Sequence, residues 1–192
     1  MRFLPGLICL LPLLSPLAHA ELIDDVNDRG ELRIALEANT PPFNYKDDGD
    51  KLTGFEVELG QLLANELDVR ADFIVTDEAD LLQGVESGKY DVALNHIALT
   101  PELKDRFDFS EPYGKVDAQL LAKKDEQPQP QPMVLVQALT DAKPKASAPV
   151  ELAIPFQKGN PAFQASLESA MQRIKADGRL AALSKKWLNE PN

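Results

Sequence analysis

Apolar positions along the chain follow two alternating rhythms. Leu32-Arg33-Ile34-Ala35-Leu36 alternates as a half-buried strand does, and residues 71–75 and 91–94 predict a second and a third strand. Between the first two, Phe55, Leu59, Leu62, Leu63 and Leu67 recur at helical spacing, which gives an apolar stripe for a sheet to cover. Residues 78–87 predict a second such helix, and residues 22–29 a short entry helix stopped at Gly30. Residues 115–123 read as another strand. The Pro41-Pro42 pair marks a loop, since proline cannot continue a strand ladder. Further on, residues 151–155 are strand-like and Asn160-Pro161 opens a helix, with a capping side chain and proline in the first turn. Phe163, Leu167, Ala170, Met171 and Ile174 share one face of that helix, which Asp177-Gly178 ends, and residues 180–188 with Trp187 form a last amphipathic helix. Strands alternating with helices imply βαβ units, hence an α/β fold class with a mainly parallel sheet flanked by helices. There is no internal repeat.

The rhythm breaks in two places. Met1-Arg2, an apolar run over 3–17 and Ala18-His19-Ala20 have the form of a cleaved export signal, so residues 1–20 are expected to be removed. Cys9 follows a poor lipobox. Residues 125–132 carry proline at every second position, which favours extended polyproline II, and 143–149 are similarly rich in breakers. The apolar island Met133 to Leu139 between them is too short for a core of its own. The expected division is a signal at 1–20, a first segment at 21–124, a Pro-rich linker at 125–149 and a completing segment at 150–192.

Composition narrows the function. The 192 residues carry 31 acidic against 20 basic side chains, a formal charge of -11, which argues against nucleic acid and anionic lipid as partners. A 44% hydrophobic fraction predicts a packed core, and a single cysteine excludes an internal disulfide. No cofactor or metal is expected, since one imidazole makes no metal site. The expected product is periplasmic and not inserted in a membrane after cleavage.

Several ordered blocks carry a family resemblance. Gly54-Phe55-Glu56-Val57-Glu58-Leu59, Asp91-Val92-Ala93-Leu94-Asn95, Thr100-Pro101-Glu102 and Phe107-Asp108-Phe109-Ser110-Glu111-Pro112-Tyr113 resemble bacterial solute-binding proteins of the polar amino-acid type, family 3. Lys158-Gly159-Asn160-Pro161 and the run from Lys175 to Trp187 look like that family's C-terminal helices, and Asn95 is closest to cystine-type members. The resemblance implies a periplasmic-binding-protein-like (type II) architecture, in which two lobes close on an amino acid. This chain has residues enough for a single lobe, the Pro-rich join standing where the second is expected. It further implies ligand-contact positions at Thr40, Phe43, Asn95, His96, Ala98 and Leu103. Three of these depart from the family pattern. Leu103 stands where an arginine usually grips the ligand carboxylate, Ala98 where a serine or threonine bonds the ligand, and Thr40 where an aromatic packs on it. Lys104 and Arg106 are the nearest substitutes for the lost charge.

Plainer readings apply beside these. His96 is a lone histidine past the third strand, where open α/β sheets place ligands. Phe43 and Tyr45 after a Pro-Pro turn fit a role in covering the sheet edge. Glu56 and Glu58, at i and i+2, point to different helix faces, so they read as helix-dipole partners rather than a catalytic pair. Trp187 reads as core. The sequence therefore predicts no enzyme. It predicts an exported single-lobe relative that acts as an interaction module, with an ABC permease or another periplasmic protein as partner. The alternative is an amino-acid-binding importer component that binds weakly or as a homodimer.

Overall fold

The computed structural model describes residues 21–117 and 149–188. Its helices are α1 (Leu22–Arg29), α2 (Phe55–Glu66), α3 (Glu78–Glu86), α4 (Pro101–Arg106), α5 (Pro161–Ala176) and α6 (Arg179–Trp187). The strands are β1 (Glu31–Leu36), β2 (Asn39–Thr40), β3 (Asn44–Lys46), β4 (Leu52–Thr53), β5 (Arg70–Val75), β6 (Val92–Ala93), β7 (Phe107–Phe109), β8 (Gly114–Asp117), β9 (Pro149–Leu152) and β10 (Pro155–Gln157).

The main sheet has the order β5-β1-β6-β10-β7. β1 is parallel to both β5 and β6, while β10 runs antiparallel to β6 and β7, so four of the five strands share one direction. The mainly parallel sheet expected from the strand–helix rhythm is present. β10 enters its middle from the far end of the chain, so both segments complete one sheet. Two smaller sheets flank it, β2-β3-β4 and the antiparallel pair β8-β9.

Alternation along β1 assigns the two faces. Leu32 and Ile34 point into the larger core, with Phe55, Leu59 and Leu63 of α2 and Phe163, Leu167 and Ile174 of α5. Ala35 points the other way, against Leu81 and Val85 of α3 with Tyr90 and Phe107. A residue such as Phe163, fully buried, contributes about 1.5–3 kcal/mol through removal from water. Both faces of the sheet are covered by helices, as a parallel sheet requires.

The segment around Pro41-Pro42, expected as loop, contains β2 and β3, and its prolines sit in the turn between them. The third expected strand shrinks to Val92–Ala93. The stretch at 151–155 divides into β9 and β10, with Ala153 and Ile154 between, because Pro155 starts a new pairing with Phe109. Of the strand expected at 115–123, the described part is β8; residues 118–123, like 1–20 and Met133 to Leu139, lie outside the described residues. Asn160 does not cap its own helix; its Oδ1 accepts from Leu22 N of α1 at 2.9 Å. Among the described residues no helix is long and apolar enough to cross a membrane.

Candidate functional site

The turn after β2 and the first turn of α2 are built as one unit. Phe55 N and Glu56 N donate to the carbonyls of Pro42 and Phe43, both at 2.9 Å. These bonds satisfy two of the amides that every helix start leaves open. Gly54 precedes them at φ +128°, and a Cβ there would lie 2.3 Å from Phe43 O. The close approach draws Phe43 over the helix start.

Glu56 lies beneath this turn, fully buried. Its carboxylate accepts three hydrogen bonds: Oε2 from Asn44 Nδ2, and Oε1 from both His96 N and the Tyr113 hydroxyl, each at 2.5 Å. One side chain thus ties together β3, α2, the loop after β6 and the segment leading into β8. Burial, then the Glu56 charge, push the Tyr113 phenol well above its ordinary value, so it stays a donor. Glu58 instead faces solvent and pairs with Lys186 Nζ at 2.5 Å.

His96 follows β6 with φ +43°, a left-handed conformation uncommon for a residue with a side chain. Its ring is buried, packs 5.5 Å from the Phe43 ring, and places Nδ1 3.9 Å from Glu56 Oε2. Asn95 sits beside it. Its Oδ1 accepts from Glu37 N at 3.2 Å and from Asn44 Nδ2 at 3.3 Å, and its Nδ2 donates to Glu37 Oε2 at 2.9 Å.

The structure therefore brings Phe43, Asn95 and His96 together at the carboxyl ends of β1 and β6. Thr40 joins them through the turn, its carbonyl accepting from Phe43 N at 2.9 Å. Its hydroxyl donates to Asn39 Oδ1. Leu103 stands apart from them. Ala98 forms an isolated bridge with Leu152, and Leu103 packs with Ala35, Leu81 and Phe107 on the opposite face of the sheet from Phe43. Arg106 is held by Glu86 at 2.7 Å, and the Lys104 carbonyl accepts from Lys158 Nζ.

Tyr45 packs edge-on against Trp187, 6.3 Å between centroids, and Trp187 lines the larger core as expected. The roles of Glu56, Asn44 and Tyr113 were not visible from sequence spacing. A cavity of about 40 Å³, lined by Phe43, Phe55, Tyr113, Val116 and Leu152, adjoins this hub, large enough for a water or two but not an amino acid. A groove of about 430 Å³ lies elsewhere, between α1, α2 and α5, lined by Asn27, Glu66, Ser169 and Arg173. Among the described residues no three His, Cys, Asp or Glu side chains cluster to hold a metal ion.

This order of blocks, and the α/β lobe they build, match a known family. A sequence profile of the bacterial extracellular solute-binding proteins, family 3, covers residues 32–190. The chain belongs to this family. L-cystine-binding protein TcyJ of Escherichia coli K12 is 40% identical over 107 residues, covering 56% of this chain and 40% of that protein. The chain thus spans well under half the length of this curated relative. Among solved structures, an ancestral cationic amino-acid solute-binding protein (AncCDT-1) aligns with TM-score 0.69 at 22% identity, covering 86% of this chain and 98% of that one. The arginine-bound domain 1 of TmArgBP aligns with TM-score 0.59 at 23% identity, covering 78% and 98%. At such identities these two establish the fold.

Proposed function

We propose that the chain is an exported, single-lobe member of the family that does not clamp an amino acid and serves as an interaction module or accessory. Its partner on this reading is an ABC permease or another periplasmic protein. One observation carries the reading: the residue at the position of the ligand-gripping arginine, Leu103, is apolar and packs with Ala35 and Phe107, on the opposite sheet face from Phe43. A guanidinium fork there would bind a carboxylate bidentately; an aliphatic side chain offers neither donors nor charge. Three further features support it. Asn95 already bonds Glu37 and Asn44, Ala98 has no polar side chain, and β8 and β9, on either side of the stretch where the second lobe is expected, pair directly with each other. On this reading the Pro-rich stretch expected at 125–149 is a linker in place of that lobe.

Enzyme chemistry is not part of this reading. An ancestral amino-acid-binding relative in fold is described as a precursor of cyclohexadienyl dehydratase. A dehydratase needs a positioned acid in a closed, water-poor site, and here Glu56 is occupied by three donors from its own lobe.

Titration calorimetry of the full chain with the twenty amino acids and cystine tests the proposal. No binding heat at millimolar ligand is expected, and micromolar binding by the monomer would sink it. The second reading is that of a transport component binding an amino acid on one lobe or as a homodimer. It draws on the arginine-bound domain 1 of TmArgBP, a lone domain of this fold with an amino acid in place. Ligand-dependent dimerisation in light scattering would favour this second reading.

A further inference from the structure

The Glu56 hub has an imbalance that its hydrogen bonds do not remove. All three groups donating to the carboxylate are neutral: an amide, a backbone N–H and a phenol. They satisfy its lone pairs and leave its charge without a counter-ion at a fully buried position. Beside it lies the one described side chain able to supply that charge from within the hub. His96 is 6% exposed, and neither ring nitrogen has a hydrogen-bond partner. Asn44 Oδ1, on the same hub, is likewise unpartnered. Buried polar atoms are rarely left this way, and three on adjoining side chains mark a place built for a second arrangement.

We propose that His96 is a proton-operated latch: on taking a proton from solvent, its imidazole becomes the counter-ion of the buried Glu56 carboxylate. A small ring rotation brings Nδ1 from 3.9 Å into hydrogen-bonding range of Oε2. The described groups around the ring and the carboxylate it faces are Glu56, Tyr113, Phe43 and Asn44. Glu56 approaches from α2, Tyr113 from the segment before β8, and Phe43 with Asn44 from the β2-β3 turn, of which Glu56 alone carries charge. Glu37 lies one step further, bonded to the neighbouring Asn95.

Two effects oppose each other when the imidazole is protonated. Desolvation disfavours a buried imidazolium, while a carboxylate at contact distance favours it. On this proposal the proton converts a lone buried anion into a neutral pair and gives Nδ1 an acceptor. The strand-end loop carrying Asn95 and His96 is then held to α2 by a charge-assisted bond as well as by His96 N. Acidification toward pH 5.5 tightens that loop; neutral and alkaline conditions loosen it. The inference does not depend on whether the lobe binds an amino acid.

Thermal unfolding of the full chain and of the H96Q and E56Q variants between pH 8 and 5.5 tests the latch. The Tm difference between wild type and H96Q should widen steadily as the pH falls, whereas a merely structural histidine would lower Tm equally throughout. The sequence contains two histidines, so the imidazole signal that H96Q removes from a proton NMR spectrum is assigned directly. Its titration should respond to the carboxylate, with a lower midpoint in E56Q than in wild type. A Tm difference that is flat or shrinks on acidification, or a signal with the same midpoint in E56Q, overturns the proposal. Should E56Q not fold, the wild-type and H96Q comparison decides alone.

Discussion

Gly54 shows how one residue positions the strand-end face. Its φ of +128° and the 2.3 Å separation between a built Cβ and Phe43 O leave room for no other residue. Phe43 O cannot retreat, since it accepts from Glu56 N. Gly54→Ala should therefore destabilise the fold by about 2–4 kcal/mol, read as a lower midpoint in urea unfolding with an unchanged slope. The importance of this glycine was legible in the sequence as the opening of a family block. That of Glu56 was not. Local spacing separates it from Glu58 and assigns both to the helix dipole, yet the donors that bury Glu56 come from residues 44, 96 and 113. No periodicity along the chain encodes such a meeting. The same limit applies to Leu103: its chemistry was readable, but which face of the sheet it covers was not.

Among the elements, α1 and α5 start by exchanging caps. Asn160 Oδ1 accepts from Leu22 N, and Glu21 Oε2 accepts from Ala162 N, both at 2.9 Å. Asn160 was correctly legible as a capping residue, but for the wrong helix, because its partner lies 138 residues away. Asn160→Ala should cost about 1–2 kcal/mol, and amide exchange should speed up in the first turn of α1 rather than of α5. The long periodic elements were readable from apolar spacing alone, whereas β6, β7 and β10 hold two or three residues each and exist through their neighbours' pairing. Exposed ion pairs also join elements: Glu66 of α2 with Arg173 of α5 and Arg179 of α6, Glu86 of α3 with Arg106 of α4, and Glu111 with Lys175 of α5. Hydrogen bonds from these cations hold Glu66, Glu86 and Glu111 below the usual carboxylate range, as Arg179 does Asp177. A carboxyl group depressed in the folded state stabilises it above the unfolded value, about pH 4, and loses that contribution as the pH falls through the folded value. Acid unfolding should accordingly steepen below about pH 4, and added salt should blunt the effect, since these pairs are screened.

For the whole molecule, the described residues on either side of the Pro-rich join lie next to each other. Asp117 and Pro149 are register partners in the β8-β9 pair, and Lys115 faces Glu151 across it at 3.2 Å. Partner residues in an antiparallel pair lie about 4.5–5.5 Å apart, a span that a two-residue turn can bridge. If the linker expected at 125–149 extends back to residue 118, the lobe needs none of residues 118–148. Replacing them with Asn-Gly should give a chain with the same α/β circular dichroism and a single cooperative unfolding transition. Stability should be equal or higher, since closing a loop of roughly thirty residues costs about 2 kcal/mol more than closing a very short one. The composition of this stretch, with proline at every second position over 125–132, allowed that division to be expected; the pairing of Asp117 with Pro149 was beyond its reach, because it depends on β10 entering the sheet between β6 and β7. A shortened chain that loses its cooperative transition, or whose urea midpoint drops sharply, would mean that residues 118–148 supply part of the core, and the single-lobe reading would fall with it.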